Sequence, residues 1–235
     1  MQAVILAGGL GTRLRPLTEQ IPKVMLPVNG QPFLLYLLRL LKDNGVNDVV
    51  LCIGYLGEQV QDFFGGGETL GMSIRYSQEK GALLGTGGAL KQAHNLLDER
   101  FFVINGDTYL PVDYGDVENT FVQLNRQALM VVYDNHEDTG VRNNIALDGD
   151  SMVTGYDKES TCPGLKYVEA GVLALRREAL NLLEAGQPVS LEQGLYPALI
   201  KHGELVAYVT PQRFYDIGLP QQQGILEAFL KGRLA

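Results

Sequence analysis

Cysteine and histidine are scarce in this sequence, and nowhere do they cluster. The two cysteines, Cys52 and Cys162, provide neither a disulfide framework nor a zinc site. Cys52 lies inside an apolar run and reads as a small core residue. Cys162 lies in a Pro/Gly stretch and reads as a loop residue. The three histidines, His94, His136 and His202, have no metal-ligand spacing. Positive charge is also short: 19 Lys and Arg stand against 27 Asp and Glu, a net charge of -8. This excludes a broad nucleic-acid-binding face, because phosphate contacts need clustered Lys and Arg. It does not exclude one small anion held by a few local cations. No apolar run approaches the ~20 residues of a membrane span. The apolar start, Ala3 to Ala7, has no basic segment before it, so it does not read as a signal peptide. A soluble, cytoplasmic protein without nucleic-acid or membrane partners is expected.

The sequence also lacks two familiar phosphate loops. Ala3-Val4-Ile5-Leu6-Ala7 reads as a buried parallel strand. It runs into Gly8-Gly9-Leu10-Gly11-Thr12-Arg13-Leu14-Arg15-Pro16. A dinucleotide fingerprint needs a third glycine where Leu14 stands, and an acid about 20 residues on, where Gly30 and Gln31 stand. A P-loop needs Gly-Lys-Ser/Thr at its end, which is missing. What remains is a strand feeding a glycine loop with Arg13 and Arg15 in it. Glycines bring backbone N–H groups close to an anion, and the arginines add charge. Ile21-Pro22-Lys23-Val24-Met25-Leu26-Pro27 follows, with one lysine between prolines that fix its backbone.

Strand and helix signals then alternate. A helix is expected over Phe33 to Leu41, a strand over Asp48 to Gly54, a helix over Glu58 to Phe64 and a strand over Met72 to Ser77. A helix over Gly88 to Leu97 and a strand over Phe101 to Ile104 come next. This order implies a parallel sheet with helices on both faces. After about residue 110 the signals become mixed. Strands are expected at Leu129 to Tyr133, Asn144 to Leu147, Met152 to Tyr156, Tyr167 to Leu175 and Leu205 to Val209. Helices are expected at Arg176 to Leu183, Leu191 to Lys201 and Pro220 to Lys231. The 235 residues thus read as one α/β domain, Rossmann-like, with a mostly parallel mixed central sheet flanked by helices. A nucleotide half is expected up to about residue 110 and a more mixed half from about 111 to 235, folded as one unit. No hexapeptide-repeat β-helix is expected after the last helix.

Gly9, Gly11, Thr12, Arg13, Pro16, Thr18, Pro22 and Lys23 stand in the register Gly-x-Gly-Thr-Arg-x-x-Pro-x-Thr followed by Pro-Lys. This segment resembles the signature of the sugar-phosphate nucleotidyltransferases, and further marks of that family occur in order along nearly the whole chain. Leu84-Gly85-Thr86-Gly87-Gly88-Ala89 resembles the loop that packs against the base. Asn105-Gly106-Asp107 resembles the end of the central strand with its metal ligand. Tyr156-Asp157-Lys158 resembles a Glu-Lys pair whose lysine meets the sugar phosphate. Glu169-Ala170-Gly171 resembles an Asn-Ala-Gly segment lining the sugar pocket. Ser190-Leu191-Glu192 resembles a helix start. Tyr215-Asp216-Ile217-Gly218 resembles the segment carrying a second metal aspartate.

The resemblance implies an enzyme that joins a nucleoside triphosphate to a sugar 1-phosphate and releases pyrophosphate. Two anions must meet, so positioning and charge neutralisation are what the protein supplies. On that reading Arg13 and Lys23 hold the triphosphate, and Lys158 holds the incoming phosphate. Asp107 and Asp216 hold Mg²⁺, which prefers oxygen ligands and takes one or two carboxylates. Ala7, Gly8, Gly9, Gly11, Thr12, Gly85, Thr86, Gly87, Gly88 and Asn105 line the substrates, with Asp157 and Glu169 at the sugar. Gly88 stands where thymidylyltransferases carry Gln, and Gly87 and Gly88 are expected to leave room for a purine. The opening loop is similar to that of heptose or mannose 1-phosphate guanylyltransferases, so GTP and a manno-configured sugar are expected. A uridylyltransferase is the alternative. A non-catalytic nucleotide-sugar-binding regulator is a further one, against which the retained Arg13, Lys23, Asp107, Lys158 and Asp216 speak.

Overall fold

The computed structural model of the chain describes residues 1–234. In chain order it contains β1 (Gln2–Ala7), β2 (Pro27–Val28), β3 (Gln31–Pro32), α1 (Phe33–Asp43), β4 (Asp48–Ile53), α2 (Gly57–Phe64) and β5 (Ser73–Gln78). Next come α3 (Gly85–Gln92), β6 (Arg100–Asn105), β7 (Thr108–Tyr109), α4 (Tyr114–Leu124), β8 (Ala128–Tyr133) and β9 (Ile145–Leu147). The rest are β10 (Val153–Tyr156), β11 (Val168–Arg176), α5 (Tyr196–Lys201), β12 (Leu205–Thr210), β13 (Tyr215–Asp216) and α6 (Pro220–Leu234).

Among the described residues one seven-stranded sheet dominates, in the order β12-β8-β11-β6-β1-β4-β5. Only β11 runs against its two neighbours. β1 shows why the sheet is buried on both sides. Ala3, Ile5 and Ala7 enter one core with α1, α2, α4 and α6. Val4 enters the other, with α3 and α5. Period-two alternation along an all-apolar strand gives each face its own packing partners. α1 turns seven of its eleven residues inward, Phe33, Leu34, Leu35, Leu37, Leu38, Leu40 and Leu41. Asn44 ends it by donating its N–H to the Leu40 and Leu41 carbonyls.

The strand order places the site. The chain lays β4 and then β5 on one flank of β1, and returns to lay β6 on the other. A crevice therefore opens beyond the carboxyl ends of β1 and β6, where ligands of such sheets bind. The Gly106 N–H donates to the Leu6 carbonyl at 3.0 Å and fastens the two strand ends together.

Several elements differ from expectation. α4 has no counterpart in the sequence reading, because polar residues fill the gaps between Tyr114, Val117 and Phe121, which alone face the core. Asp113 caps it, accepting from the Asp116 N–H at 3.0 Å. The helix expected at Gly88 starts at Gly85 and gives way to a 3₁₀ turn at Ala93–Leu96. The helix expected over Arg176 to Leu183 is a 3₁₀ segment, Arg177–Leu182. The one expected over Leu191 to Lys201 is a π-helical turn, Leu191–Leu195, followed by α5. None of the described helices is long and apolar enough to cross a membrane.

Candidate active site

The crevice is a cleft of about 420 Å³. Ala7, Gly8, Gly9, Gly11, Thr12 and Arg13 line one wall. Gly85 and Thr86 line another, and Lys23, Asn105, Asp107 and Lys158 project into it. Twelve of the residues expected from the sequence thus come together, although they span more than half of the chain.

Local chemistry explains the opening loop. Gly11 has φ +60°, and a Cβ there would lie 2.8 Å from Thr18 Cγ2 and 3.3 Å from Lys23 Cβ. The Thr18 hydroxyl donates to the Gly11 carbonyl at 2.8 Å. The loop is folded back on Thr18 and on the stem of Lys23, which is why Gly11, Thr18 and Lys23 suit one another at this spacing. Lys23 follows Pro22 in a 3₁₀ turn. Its side chain is only 13% exposed and forms an ion pair with Asp107.

Two very short strands bring the aspartates together. β13 pairs with β7 so that Asp216 faces Thr108, and the Ile217 N–H donates to the Asp107 carbonyl at 3.1 Å. Asp216 Oδ1 accepts the Gly218 N–H at 2.7 Å. Arg13 Nη2 and Lys23 Nζ lie 3.6 and 3.8 Å from where a Gly218 Cβ would sit. Two carboxylates and two cations therefore meet at one point. Burial raises the Asp216 carboxyl above its ordinary range, and the neighbouring Asp107 charge adds to this. The Gly218 N–H, Lys23 and Arg13 pull the other way. The described residues contain no group of three metal-ligating side chains. An all-oxygen pair beside phosphate-directed cations fits a hard divalent ion that takes its other ligands from phosphate and water.

The far end of the cleft is acidic. Lys158 Nζ donates to Glu192 Oε1 at 3.3 Å. Glu169 receives the Tyr196 hydroxyl at 3.3 Å. A register shift in β11 between Glu169 and Leu173 turns this segment out of the ladder. Burial, with the Glu192 charge added, pushes the Glu169 carboxyl up to about 7. Burial works against the Glu192 charge as well, but its own backbone N–H and Lys158 hold that carboxyl below its ordinary range.

Other expected residues stand elsewhere. Asp157 does not line the cleft. Its Oδ2 accepts the Thr161 N–H and hydroxyl and the Cys162 N–H, at 2.7, 2.8 and 2.8 Å. These bonds, led by that from Cys162, hold its carboxyl well below the usual range and spend its acceptor capacity on shaping its own loop. Glu169 and Asp216 are not among the lining residues, and Asp216 is joined to the lining through the Gly218 N–H.

Gly87 and Gly88 require a correction. They leave no open space for a purine. Their N–H groups both donate to the Val189 carbonyl, at 2.9 and 3.0 Å. A Cβ on Gly88 would lie 2.7 Å from Leu84 Cβ and 2.9 Å from the Gln187 carbonyl oxygen. Glycine is required here because another stretch of backbone occupies the room. Gly88→Gln is accordingly expected to destabilise the fold, by roughly 1–3 kcal/mol as an overpacked site does. A thermal melt that does not move would contradict this.

Two cleft residues escaped the sequence reading as functional groups, Glu79 and Glu192. Glu79 follows β5 directly, so a strand taken one residue past Gln78 would have put it at the ligand-binding edge. Its Oε1 accepts the Leu84 N–H at 2.6 Å, and burial raises its carboxyl above the ordinary range. The other oxygen, Oε2, stands over Gly8, 2.5 Å from where a Cβ there would be.

A mostly parallel α/β sheet, a basic glycine loop and paired aspartates at the switch point define a phosphate-handling transferase of the Rossmann-like class. The comparisons make this specific. The nucleotidyl transferase family model matches residues 2–222, and the chain belongs to that family. It is 31% identical to a D-glycero-alpha-D-manno-heptose 1-phosphate guanylyltransferase of Campylobacter jejuni, over 94% of this chain and 96% of the relative. It is 32% identical to the mannose-1-phosphate guanylyltransferase of Mycobacterium tuberculosis, over 94% of this chain and 62% of that one. The structure of HddC from Yersinia pseudotuberculosis complexed with GMP-PN superposes with a TM-score of 0.83. That chain is 29% identical, with coverage of 97% of this chain and 99% of the other.

Proposed function

We propose that the protein transfers a guanylyl group from GTP to a manno-configured sugar 1-phosphate, heptose or mannose, releasing pyrophosphate. One observation carries the reaction: Asp107, Asp216, Arg13 and Lys23 converge at the carboxyl edge of β1 and β6. The names of the relatives support the base and the sugar.

An oxygen of the sugar phosphate attacks the α-phosphorus, a new P–O bond forms, and the bond to the pyrophosphate oxygen breaks. The attacking oxygen is already ionised, so no protein base is needed. Arg13 and Lys23 hold the triphosphate and stay with the departing pyrophosphate. Lys158 holds the incoming phosphate at the other end of the cleft. N–H groups of Gly8, Gly9 and Gly11 approach the phosphates, and Gly85 and Thr86 hold the nucleoside. Enzymes of this family generally use a divalent ion. Here Asp107 and Asp216 would hold Mg²⁺, whose charge offsets the negative charge gathered at the α-phosphate.

Glu79 supports guanine. The Watson–Crick edge of guanine offers two donors, N1–H and the 2-amino group, and a carboxylate accepts both. Uracil and thymine offer one donor there, and cytosine one, its 4-amino group, beside the N3 acceptor. Glu79→Gln is therefore expected to lower kcat/KM for GTP by roughly tenfold to a hundredfold, from ~1.5–3 kcal/mol for hydrogen bonds to a charged group. ATP, CTP, UTP and dTTP should be used no worse than before. Pyrophosphate release, measured with each triphosphate against a panel of sugar 1-phosphates, tests the whole reading. Wild-type preference for UTP or dTTP would reject the base assignment.

A further inference from the structure

We propose that Glu192 is the positioning residue of the acceptor-phosphate site: it aims the Lys158 ammonium into the cleft and ties that aim to the nucleoside loop at residues 84–88. The inference rests on the assignment of Lys158 to the sugar phosphate.

Lys158 is poorly placed by its own surroundings. The Asp157 carboxylate shapes the backbone around it, but its side chain is 69% exposed. A long, strongly hydrated lysine stem in that position samples many rotamers. Its ion pair is with Glu192 Oε1, at 3.3 Å. An ammonium has three N–H donors. One directed at Glu192 leaves two for phosphate oxygens, so substrate does not need to displace the carboxylate.

Glu192 itself is fixed. It is 24% exposed and lies in the π-helical turn Leu191–Leu195, a feature frequent at functional sites. Ser190 caps that turn, its Oγ accepting the Gln193 N–H at 3.1 Å. The turn is stitched to the nucleoside loop. Thr86 Oγ1 accepts the Leu191 N–H at 2.8 Å, which leaves the hydroxyl proton for Glu192 Oε2, 3.5 Å away. The Val189 carbonyl receives the Gly87 and Gly88 N–H groups, and the Val189 N–H donates to Leu84 at 2.8 Å. These bonds join loop, turn and carboxylate to one another, and Lys158 is held by its end.

A carboxylate next to an incoming phosphate repels it. Any benefit from Glu192 must therefore arrive through Lys158, and this separates the proposal from a merely structural role. Steady-state kinetics with GTP and mannose 1-phosphate or heptose 1-phosphate, whichever turns over faster, test it in a double-mutant cycle. Glu192→Ala is expected to raise KM for the sugar phosphate at least tenfold and to leave KM for GTP within about twofold. Glu192→Gln keeps the bonds to Lys158 and Thr86 and should recover most of the loss. In a Lys158→Ala background, Glu192→Ala should cost nothing further. An equal penalty in both backgrounds overturns the proposal, as does a lowered KM for sugar phosphate in Glu192→Ala alone. If Glu192→Ala fails to fold, Glu192→Asp serves in the same cycle, with the shorter carboxylate losing its reach to Lys158. If Lys158→Ala leaves KM for sugar phosphate unchanged, the assignment of Lys158 is rejected, and Glu192 falls with it.

Discussion

Asp107→Asn and Asp216→Asn are each expected to lower kcat on the order of a hundredfold or more, a few kcal/mol of transition-state stabilisation. Asn keeps the shape and removes the charge. At Asp216 the Asn oxygen can still accept the Gly218 N–H, so the turn should survive. At Asp107 the change leaves Lys23 without its partner. That should cost about 1 kcal/mol, a fall in Tm of about 2–4 °C for a chain of this size. Turnover should fall far more than stability, and the contrast marks a catalytic rather than an architectural role. The double variant should be little worse than either single one, because on the proposed reading both carboxylates would serve one ion. Pyrophosphate release at saturating substrates, in Mg²⁺ buffer, measures this. Near-normal turnover by either variant would remove the pair from the mechanism.

Lys23→Ala is expected to show the other large loss. It should lower kcat by about a hundredfold even with both substrates saturating, because on the proposed reading Lys23 would stay with the reacting phosphates through the transition state. Lys158→Ala should behave differently. It should raise KM for the sugar phosphate and lower kcat, with GTP affinity close to normal. Lys23→Arg should not restore activity. The lysine stem is packed against Gly11, and a planar guanidinium does not reproduce the compact charge of an ammonium at its end. If the two lysine variants lose GTP affinity equally, the division of labour between the ends of the cleft is wrong.

The parts legible in the sequence were those whose cause is local. Gly8 to Lys23 lies in one stretch, and its spacing reflects contacts among Gly11, Thr18 and Lys23 themselves. β1, β4 and β6 are apolar through their interiors, which betrays burial on two faces. Asp216 is another matter. It meets Asp107 through two strands of two residues each, too short to carry any period. Only the resemblance to a known family picked it out. Glu79 and Glu192 owe their places to the ends of a strand and a π turn, and element boundaries are where sequence patterns fade. Gly87 and Gly88 show a different limit. Composition says that a position must be small, but whether a ligand or another piece of the chain fills the room depends on residues 187–190, a hundred positions away.

The antiparallel strand β11 has a consequence for how the protein is made. It lies between β6 and β8, so the early strands cannot complete their sheet without it. β6 is complete at Asn105, and β11 begins at Val168. At synthesis rates of ~5–20 residues per second, the gap lasts roughly 3–13 s. Through that interval the nascent chain carries Phe101, Phe102, Val103 and Ile104 on an open strand edge, the kind of edge that pairs with other chains. Newly made protein is therefore expected to pass through an aggregation-prone window in which the β6 edge, covered by β11 in the finished sheet, is open. Its yield in a cell should depend on translation speed and chaperone supply more steeply than its equilibrium stability would suggest.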